Sequence, residues 1–490
     1  MSGALIVIAA TALVALGLGL GASAGRKMGL EQWTVGGRGF GFILVFLLLA
    51  GEIYTTFTFL GGSGYAYGKG GPTYYILAYG ALAYVISYWM LPPIWRYANE
   101  HKLISQPDFF ISKYESPALG ILVALVGIVA LVPYLVLQFK GLGIIVEVAS
   151  YGTVPRTVAI WIGAAVVTSY VMVSGVHGSA WTAVLKDITI LAVVVFLGIY
   201  LPLHYYGGYR DMFSAIQAAR PGFLALPLRG QSVAWFDSTV LLTAFGFFMW
   251  PHSFGAVYTA RHERVFRQNA IALPLYQIIL LFVFFVGFAA ILQVPGLTGG
   301  DIDLSLFYLS RKTFSPWVLG VIGGAGVLTA LVPGSMIMMT AATLTANNVY
   351  RAFRPSVSQD HVATVSKWLV PVVALVAVWF TLKGGETIVQ LLLMGYSFVT
   401  QLFPGLIMSL KRDNPVPREA AILGICVGVA TVAVTTLSNA SLAALFPGAP
   451  QFVQDLNIGI VALILNVATM LVVTVMVRAF SVRGEAAPHR

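Results

Sequence analysis

Long apolar runs alternate with short polar segments along almost the whole chain. Most of these runs are about twenty residues long, which is the length that an α-helix needs to cross the hydrocarbon core of a bilayer. The pattern predicts an all-α polytopic membrane protein with about thirteen transmembrane helices. The predicted spans are 4–24, 41–67, 73–95, 118–147, 155–176, 183–205, 238–260, 270–293, 316–349, 365–382, 385–409, 418–438 and 458–478.

Two of these spans carry a helix-breaking sequence near their middle. The second span, which contains LLLAGEIYTT, is interrupted at Gly51 and Glu52, and the seventh, which contains FFMWPHSFG, is interrupted at Pro251. Proline removes a backbone donor and clashes with the preceding turn, so a helix must bend or unwind there. Backbone groups freed inside a membrane are tolerated only where they face protein or a water-filled cavity.

The two interruptions lie five spans apart, in the first helix of each of two five-helix halves, 41–205 and 238–409. Interrupted helices at matching positions of two repeats point to the central binding site of a transporter. We therefore expect a single transmembrane transporter domain, 1–490, built from two inverted repeats. An extra N-terminal helix at 4–24 and two C-terminal helices within 418–478 complete it.

The composition supports a membrane protein, with 58% hydrophobic and only 9% charged residues, whereas soluble proteins carry about 25% charged residues. The net charge of +10 indicates basic cytoplasmic loops rather than a nucleic-acid surface. Lysines and arginines cluster in alternate connecting segments, which predicts an outer N-terminus and a cytoplasmic C-terminus in a bacterial-type inner (plasma) membrane. We expect the bilayer as a partner, no nucleic acid and no obligatory protein partner.

The sequence offers little chemistry of the kind that enzymes use. Its single cysteine, Cys426, lies in an apolar run and excludes both an intramolecular disulfide and a cysteine-based metal cluster. No metal-ligand cluster and no pair of nucleophile and base stands out in the sequence. We therefore expect neither an enzyme nor a cofactor, apart from a coupling ion, H⁺ or Na⁺.

Several motifs together resemble the sodium/solute symporter family. The motifs are EQWTVGGRG, FLGGSGYAYG, YLVLQFKGLG, GSAWTAVLKD, MWPHSFGAVYTAR and ATLTANNVYR, in that order between about residues 31 and 410. The resemblance implies an inverted-repeat transporter. The MWPH segment and the Pro-Gly of the ninth span are most similar to bacterial monocarboxylate permeases, which implies cation-coupled import of lactate, pyruvate, acetate and similar acids by alternating access.

The resemblance also shows where this chain departs from the family. The family's sodium site uses backbone carbonyls of the first broken helix, here at Leu49 and Glu52, and two adjacent hydroxyls of the ninth span. Those hydroxyl positions fall on Val332 and Pro333, one turn after Thr329, and neither side chain offers an oxygen.

A second departure lies in the sixth span, where the family has an aspartate below the sodium site. This chain reads Trp181-Thr182-Ala183 there, and its next carboxylate is Asp187. Two positions of the sodium site have therefore lost oxygen ligands.

Glu52 is the candidate coupling group, because intramembrane carboxylates are usually functional. A carboxylate buried without a fixed cation can take up and release protons, which favours proton coupling. Two alternatives stay open. Glu52 could ligate sodium in place of the missing hydroxyls, or it could form a structural ion pair with Lys140, which lies deep inside the fourth span.

The candidate substrate residues flank the two interruptions or lie in YLVLQFKGLG, where the family places polar residues that face substrate. A positive charge in the cavity and the N-terminal end of a broken helix would both suit a carboxylate. The candidates are Tyr54, Thr55, Gln138, Lys140, Trp250 and His252.

Two other functions fit the sequence less well. The first is a sodium-coupled symporter of another small solute, such as an amino acid. The second is a membrane sensor, which the short tail after residue 478 disfavours because it is too short for a signalling domain.

Overall fold

The computed structural model describes residues 3–51 and 53–485, with their side chains as far as residue 480. Within these ranges the chain is almost entirely helical, and Phe40 and Ala260 form an isolated β-bridge. The predicted all-α membrane fold is therefore confirmed.

Most of the predicted spans correspond to one helix or to two consecutive helices. These are Gly3–Gly21, Tyr75–Glu100, Pro117–Ala149, Arg156–Tyr206, Arg264–Ile278, Leu280–Gln293, Pro316–Thr343, Gln359–Lys383, Ile388–Val399, Phe403–Ser409, Arg418–Leu437 and Ile458–Glu485. The second span consists of Phe42–Ala50, Phe57–Gly62 and Ser63–Lys69, and the seventh of Val233–Gly246, Phe247–Met249 and Pro251–Tyr258. Shorter helices in the connections include Leu30–Val35, Gln106–Tyr114, Tyr209–Ala219, Gly299–Leu304 and Ser305–Thr313.

In the described part of the chain, ten helices are long and apolar enough to cross a bilayer, or eleven with the bent seventh span. The fifth and sixth predicted spans correspond to Arg156–Tyr206, a stretch of 51 helical residues that is kinked at Gly175. A straight helix of that length would measure about 76 Å, more than twice the thickness of the hydrocarbon core. The number of thirteen and the membrane orientation stay predictions.

Gly175 divides that helix with a left-handed backbone, at φ 53° and ψ −137°. A Cβ at this position would lie 2.3 Å from the carbonyl oxygen of Trp33, so glycine provides both the conformation and the space. Trp33, in the EQWTVGGRG motif, is buried here and donates from Nε1 to the Val171 carbonyl at 3.0 Å. The kink at Gly175 therefore separates the fifth predicted span from the sixth.

The ninth span, Pro316–Thr343, lies at the centre of the protein and is almost wholly buried. It packs against the first, fourth, fifth and sixth spans. Small residues allow the first helix to approach closely, since a Cβ on Gly320 would lie 2.9 Å from the Cα of Ala4. The extra N-terminal helix is therefore packed onto the core of the fold.

Candidate functional site

The second span breaks between Ala50 and Thr56, and we call this stretch the first break. The first half-helix ends where the Gly51 amide donates to the Leu47 carbonyl at 2.8 Å. Threonine hydroxyls then satisfy the local backbone: Thr55 Oγ1 accepts from the Phe57 amide, and Thr58 Oγ1 accepts from the Thr55 amide, both at 3.1 Å. Such local side-chain bonds compete with helix formation. Glu52 lies outside the described residues.

The seventh span breaks at Trp250, which we call the second break. Trp250 has an extended backbone, at φ −61° and ψ 127°, and Pro251 begins the next half-helix. Proline is favoured at that position because its missing amide hydrogen would have had no helical partner. The Met249 carbonyl that the break frees accepts from Gln106 Nε2 at 2.8 Å. Both predicted breaks are therefore present in the structure.

The fourth span, Pro117–Ala149, connects the two breaks through residues one helical turn apart. Gln138 Oε1 accepts a hydrogen bond from Thr56 Oγ1 at the edge of the first break. One turn earlier, the ring of Tyr134 lies 4.8 Å from that of Trp250 and 5.3 Å from that of His252, measured between centroids. Residues four apart on a helix share a face, so one face of the fourth span contacts both breaks.

Four of the six candidate substrate residues therefore lie on this face or at the breaks that it contacts. Gln138 is on the fourth span, Thr55 is in the first break, and Trp250 and His252 are at the second break. All four are buried. Among the described residues, the buried Nε2 of Gln138 has no hydrogen-bond acceptor. This donor therefore lies beside the first break, one helical turn from the tyrosine that contacts the second break.

Tyr54 lies on the other side of the first break, away from Gln138. Its hydroxyl donates to the Tyr276 carbonyl at 3.3 Å, and the two rings are 4.9 Å apart between centroids. Its own carbonyl accepts from the Lys186 ammonium at 3.4 Å. The structure thus places Tyr54 in a cluster of the second, sixth and eighth spans.

Lys140 lies farther along the fourth span and forms an ion pair that the sequence did not predict. Its Nζ is 2.8 Å from Asp303 Oδ2 and 2.7 Å from the Glu386 carbonyl. Asp303 Oδ2 also accepts from the Ile388 amide at 3.0 Å, where the eleventh span begins. This pair joins three segments on the predicted outer side.

Asp303 belongs to the short helix Gly299–Leu304, outside the spans. Burial raises the pKa of its carboxyl above the ordinary value for aspartate, and the neighbouring Lys140 ammonium opposes that rise. Lys140 therefore favours the charged form of this carboxyl group.

Lys186 and Asp187 form a second buried pair, in the sixth span. Lys186 Nζ lies 2.9 Å from Asp187 Oδ1, which also accepts from the Tyr276 hydroxyl at 3.1 Å. The Lys186 side chain is 0% exposed and that of Asp187 4%. The GSAWTAVLKD motif contains both residues, but the sequence does not show that the lysine reaches the first break.

Four of the five positions that correspond to the family's sodium site are described by the structure. All four are buried, namely Leu49, Thr329, Val332 and Pro333. Thr329 donates to the Gly326 carbonyl within its own helix at 2.6 Å. The Val332 carbonyl accepts from Ser335 Oγ at 2.5 Å, and this hydroxyl lies 2.6 Å from Ser179 Oγ on the sixth span. Leu49 and Pro333 contribute apolar side chains to the same interior.

The helix Gln106–Tyr114, which we call the linker helix, ties the predicted inner end of the ninth span to the rest of the protein. Asp108 accepts from Asn348 Nδ2 at 2.7 Å and from Asn347 Nδ2 at 3.2 Å, two residues of the ATLTANNVYR motif. Asp108 also forms a capping box with Ser105 at the start of this helix. Burial raises the pKa of the Asp108 carboxyl, against the opposing effect of these hydrogen bonds.

Gln106, Asp303 and Lys186 are members of these clusters that the sequence did not predict. The S-x-x-D pattern at Ser105 and Asp108 predicts a helix start, but nothing in it identifies Met249 as the acceptor for Gln106. The contacts of Lys140 with Asp303 and of Lys186 with the Tyr54 carbonyl join residues far apart in the chain, which leave no local signal.

Comparison with known proteins agrees with this architecture. The profile of the sodium:solute symporter family matches residues 33–411. The chain is 62% identical over 478 residues to the uncharacterized symporter YhjB of Bacillus subtilis (strain 168), and the match covers 98% of each protein. It is 28% identical over 394 residues to a monocarboxylate transport permease of Rhizobium johnstonii (strain DSM 114642 / LMG 32736 / 3841), covering 78% of each.

Among solved structures, a substrate-bound, outward-open Na⁺-coupled sialic acid symporter superposes with a TM-score of 0.79 at 15% identity. That match covers 97% of this chain and 98% of the other. Its low identity supports the fold alone. Together these matches confirm the resemblance that the motifs indicated and support a cation-coupled membrane transporter: the chain belongs to the sodium:solute symporter family.

Proposed function

We propose that this protein is a secondary active symporter that imports small monocarboxylates, of the lactate, pyruvate and acetate type, by alternating access. The proposal rests on the face of the fourth span that contacts both breaks through Gln138 and Tyr134. A transporter whose central site lies at helix breaks binds substrate where half-helix ends converge. The monocarboxylate permease among its relatives supports the substrate class.

The chemistry of this region suits a carboxylate. Gln138 Nε2 is a buried donor without an acceptor among the described residues, and a carboxylate oxygen accepts such a hydrogen bond readily. The half-helix that begins at Pro251 directs its N-terminal end, which carries partial positive charge, toward the second break. Both features stabilise a negative charge between the breaks.

The aromatic residues around the second break favour a small substrate. Trp250 packs against Tyr134 and Tyr396, with centroid distances of 4.8 Å and 5.2 Å. A Cβ on Gly395 would lie 2.5 Å from the edge of the Trp250 ring. Because the indole is enclosed on these sides, we propose that Trp250 limits substrate length.

For the coupling ion we propose a proton, carried by Glu52. The side chains of Val332 and Pro333 lack oxygen atoms, and sodium prefers hard oxygen ligands. A sodium-coupled carrier of another solute is the alternative, which the sodium/proline symporter of Salmonella typhimurium among the relatives favours at 23% identity.

Uptake into proteoliposomes tests this function. Labelled lactate should accumulate when an inward proton gradient is imposed in sodium-free choline buffer. Gln138→Leu and Trp250→Ala should lose most of this uptake, whereas the control Trp368→Ala should keep it because Trp368 is 68% exposed on the surface of the protein. Uptake that requires sodium would refute proton coupling, and wild-type transport by both site variants would place the substrate elsewhere.

A further inference from the structure

The ammonium group of Lys186 lies at the end of the first half-helix. Its Nζ is 3.4 Å from the Tyr54 carbonyl oxygen, which the break has freed from helical hydrogen bonding. A Cβ built on Gly51 would lie 3.6 Å from the same nitrogen. The lysine thus reaches from the sixth span to both sides of the first break, and it is completely buried.

Neighbouring side chains hold the ammonium in place. Asp187 Oδ1 lies 2.9 Å from Lys186 Nζ and accepts from the Tyr276 hydroxyl at 3.1 Å. Tyr276 in turn packs edge-on against Tyr54. Among the described residues, the buried Oδ2 of Asp187 has no hydrogen-bond donor. The cluster therefore surrounds one fixed positive charge with a carboxylate, a phenol and a freed carbonyl.

The C-terminal end of the first half-helix is a position that favours a bound cation. The last carbonyls of a helix carry partial negative charge, and in transporters with broken helices the unwound carbonyls and half-helix C-terminal ends coordinate the coupling cation. Here the ammonium already supplies a unit positive charge at such an end. A second cation placed among the same oxygens would be repelled strongly, because screening by water is weak in a buried site.

We propose that Lys186 is a tethered cation that occupies the place of a free sodium ion at the first break and thereby determines the ion specificity of the transporter. This inference rests on the proposed symport function, but it concerns the ion and not the substrate. Bound sodium is then not needed to stabilise the first break. Asp187 is the counter-charge that makes the buried lysine tolerable.

The test measures the response of thermal unfolding to sodium, with purified protein in detergent and no substrate. Wild-type protein should unfold at the same midpoint in sodium chloride and in choline chloride of equal concentration. Lys186→Gln should unfold several degrees lower in choline and regain part of that loss in sodium, with saturation, because Asp187 and the Tyr54 carbonyl are then free to bind the ion. The matched control, Lys140→Gln, removes another lysine and should show no recovery specific to sodium.

Three results overturn the proposal. The first is a saturable, sodium-specific rise in the wild-type midpoint, which needs no variant to fold. The second is a folded Lys186→Gln protein that does not respond to sodium, and the third concerns the double variant. Lys186→Gln/Asp187→Asn strands no charge and should fold without a sodium response, so a response in this variant also contradicts the proposal. Failure of lactate uptake would refute the proposed substrate and leave these sodium responses unchanged.

Discussion

Replacing Lys140 by methionine should destabilise the protein by leaving Asp303 without its counter-charge. Methionine keeps most of the length of lysine and removes the ammonium that lies 2.8 Å from Asp303 Oδ2. Breaking a buried ion pair costs about 3–5 kcal/mol because the remaining charge is uncompensated. The Lys140 side chain is 14% exposed, and in the variant Asp303 still accepts a hydrogen bond from the Ile388 amide. We therefore expect a loss of stability at the lower end of this range, about 3 kcal/mol.

The loss should depend on pH in a direction that the structure fixes. Burial already raises the pKa of Asp303 and Lys140 lowers it, so in Lys140→Met the folded-state pKa rises further. The unfolded chain has an aspartate pKa of about 3.9. Below that value both states are protonated and no penalty remains. As pH rises toward the folded pKa, stability falls by about 1.4 kcal/mol per unit, so the deficit grows with pH.

Thermal unfolding of the detergent-solubilised protein, followed by tryptophan fluorescence between acid and neutral pH, measures this deficit. The double variant Lys140→Met/Asp303→Asn should recover much of the lost stability, since no charge is stranded. A matched control is Arg156→Met, which breaks the pair with Glu147, where side-chain exposures are 38% and 34%. Exposed pairs contribute about 0–1 kcal/mol, so this control should stay close to wild type.

Wild-type stability of Lys140→Met would contradict the structural role of the ion pair. If Lys140→Met unfolds like wild type at neutral pH and loses substrate binding, the ion pair contributes little and the lysine faces the substrate, as the sequence alone suggested. A deficit that shrinks with rising pH would refute the assigned burial of Asp303.

Three further predictions concern other parts of the protein. Glu52→Gln should abolish uphill lactate uptake and preserve exchange of labelled for unlabelled substrate, since glutamine cannot release a proton; intact uphill uptake would exclude this role. Gly175→Ala should lower the unfolding midpoint, because its left-handed backbone and the Trp33 carbonyl leave no room for a methyl group, whereas Gly17→Ala, with open space around it, should not. Gln106→Leu leaves the carbonyl at the second break unpaired, at a cost of about 1–3 kcal/mol, and wild-type unfolding of that variant would show that another group replaces it.

The sequence predicted the positions of both breaks because their causes are local. A proline inside an apolar run and a glycine followed by threonines disrupt a helix wherever it packs. The family resemblance then indicated Gln138 and Trp250, and the structure places these residues beside the breaks. Their roles in binding stay predictions.

Contacts between distant segments could not be predicted in the same way. Lys140 pairs with Asp303, which lies 163 residues away, and from the sequence alone an intramembrane lysine fits a substrate ligand equally well. The kink at Gly175 could not be predicted either, because glycine is common in transmembrane helices and only the backbone angles show that the helix is interrupted at this one.

The linker helix joins two distant parts of the protein through residues only two positions apart. Gln106 donates to the Met249 carbonyl at the second break, and Asp108 accepts from Asn347 and Asn348 at the end of the ninth span. Because Gln106 and Asp108 lie on the same rigid turn of helix, the two residues must move together. Any movement that separates the seventh span from the ninth must therefore break one set of bonds, so this helix couples the second break mechanically to the end of the ninth span.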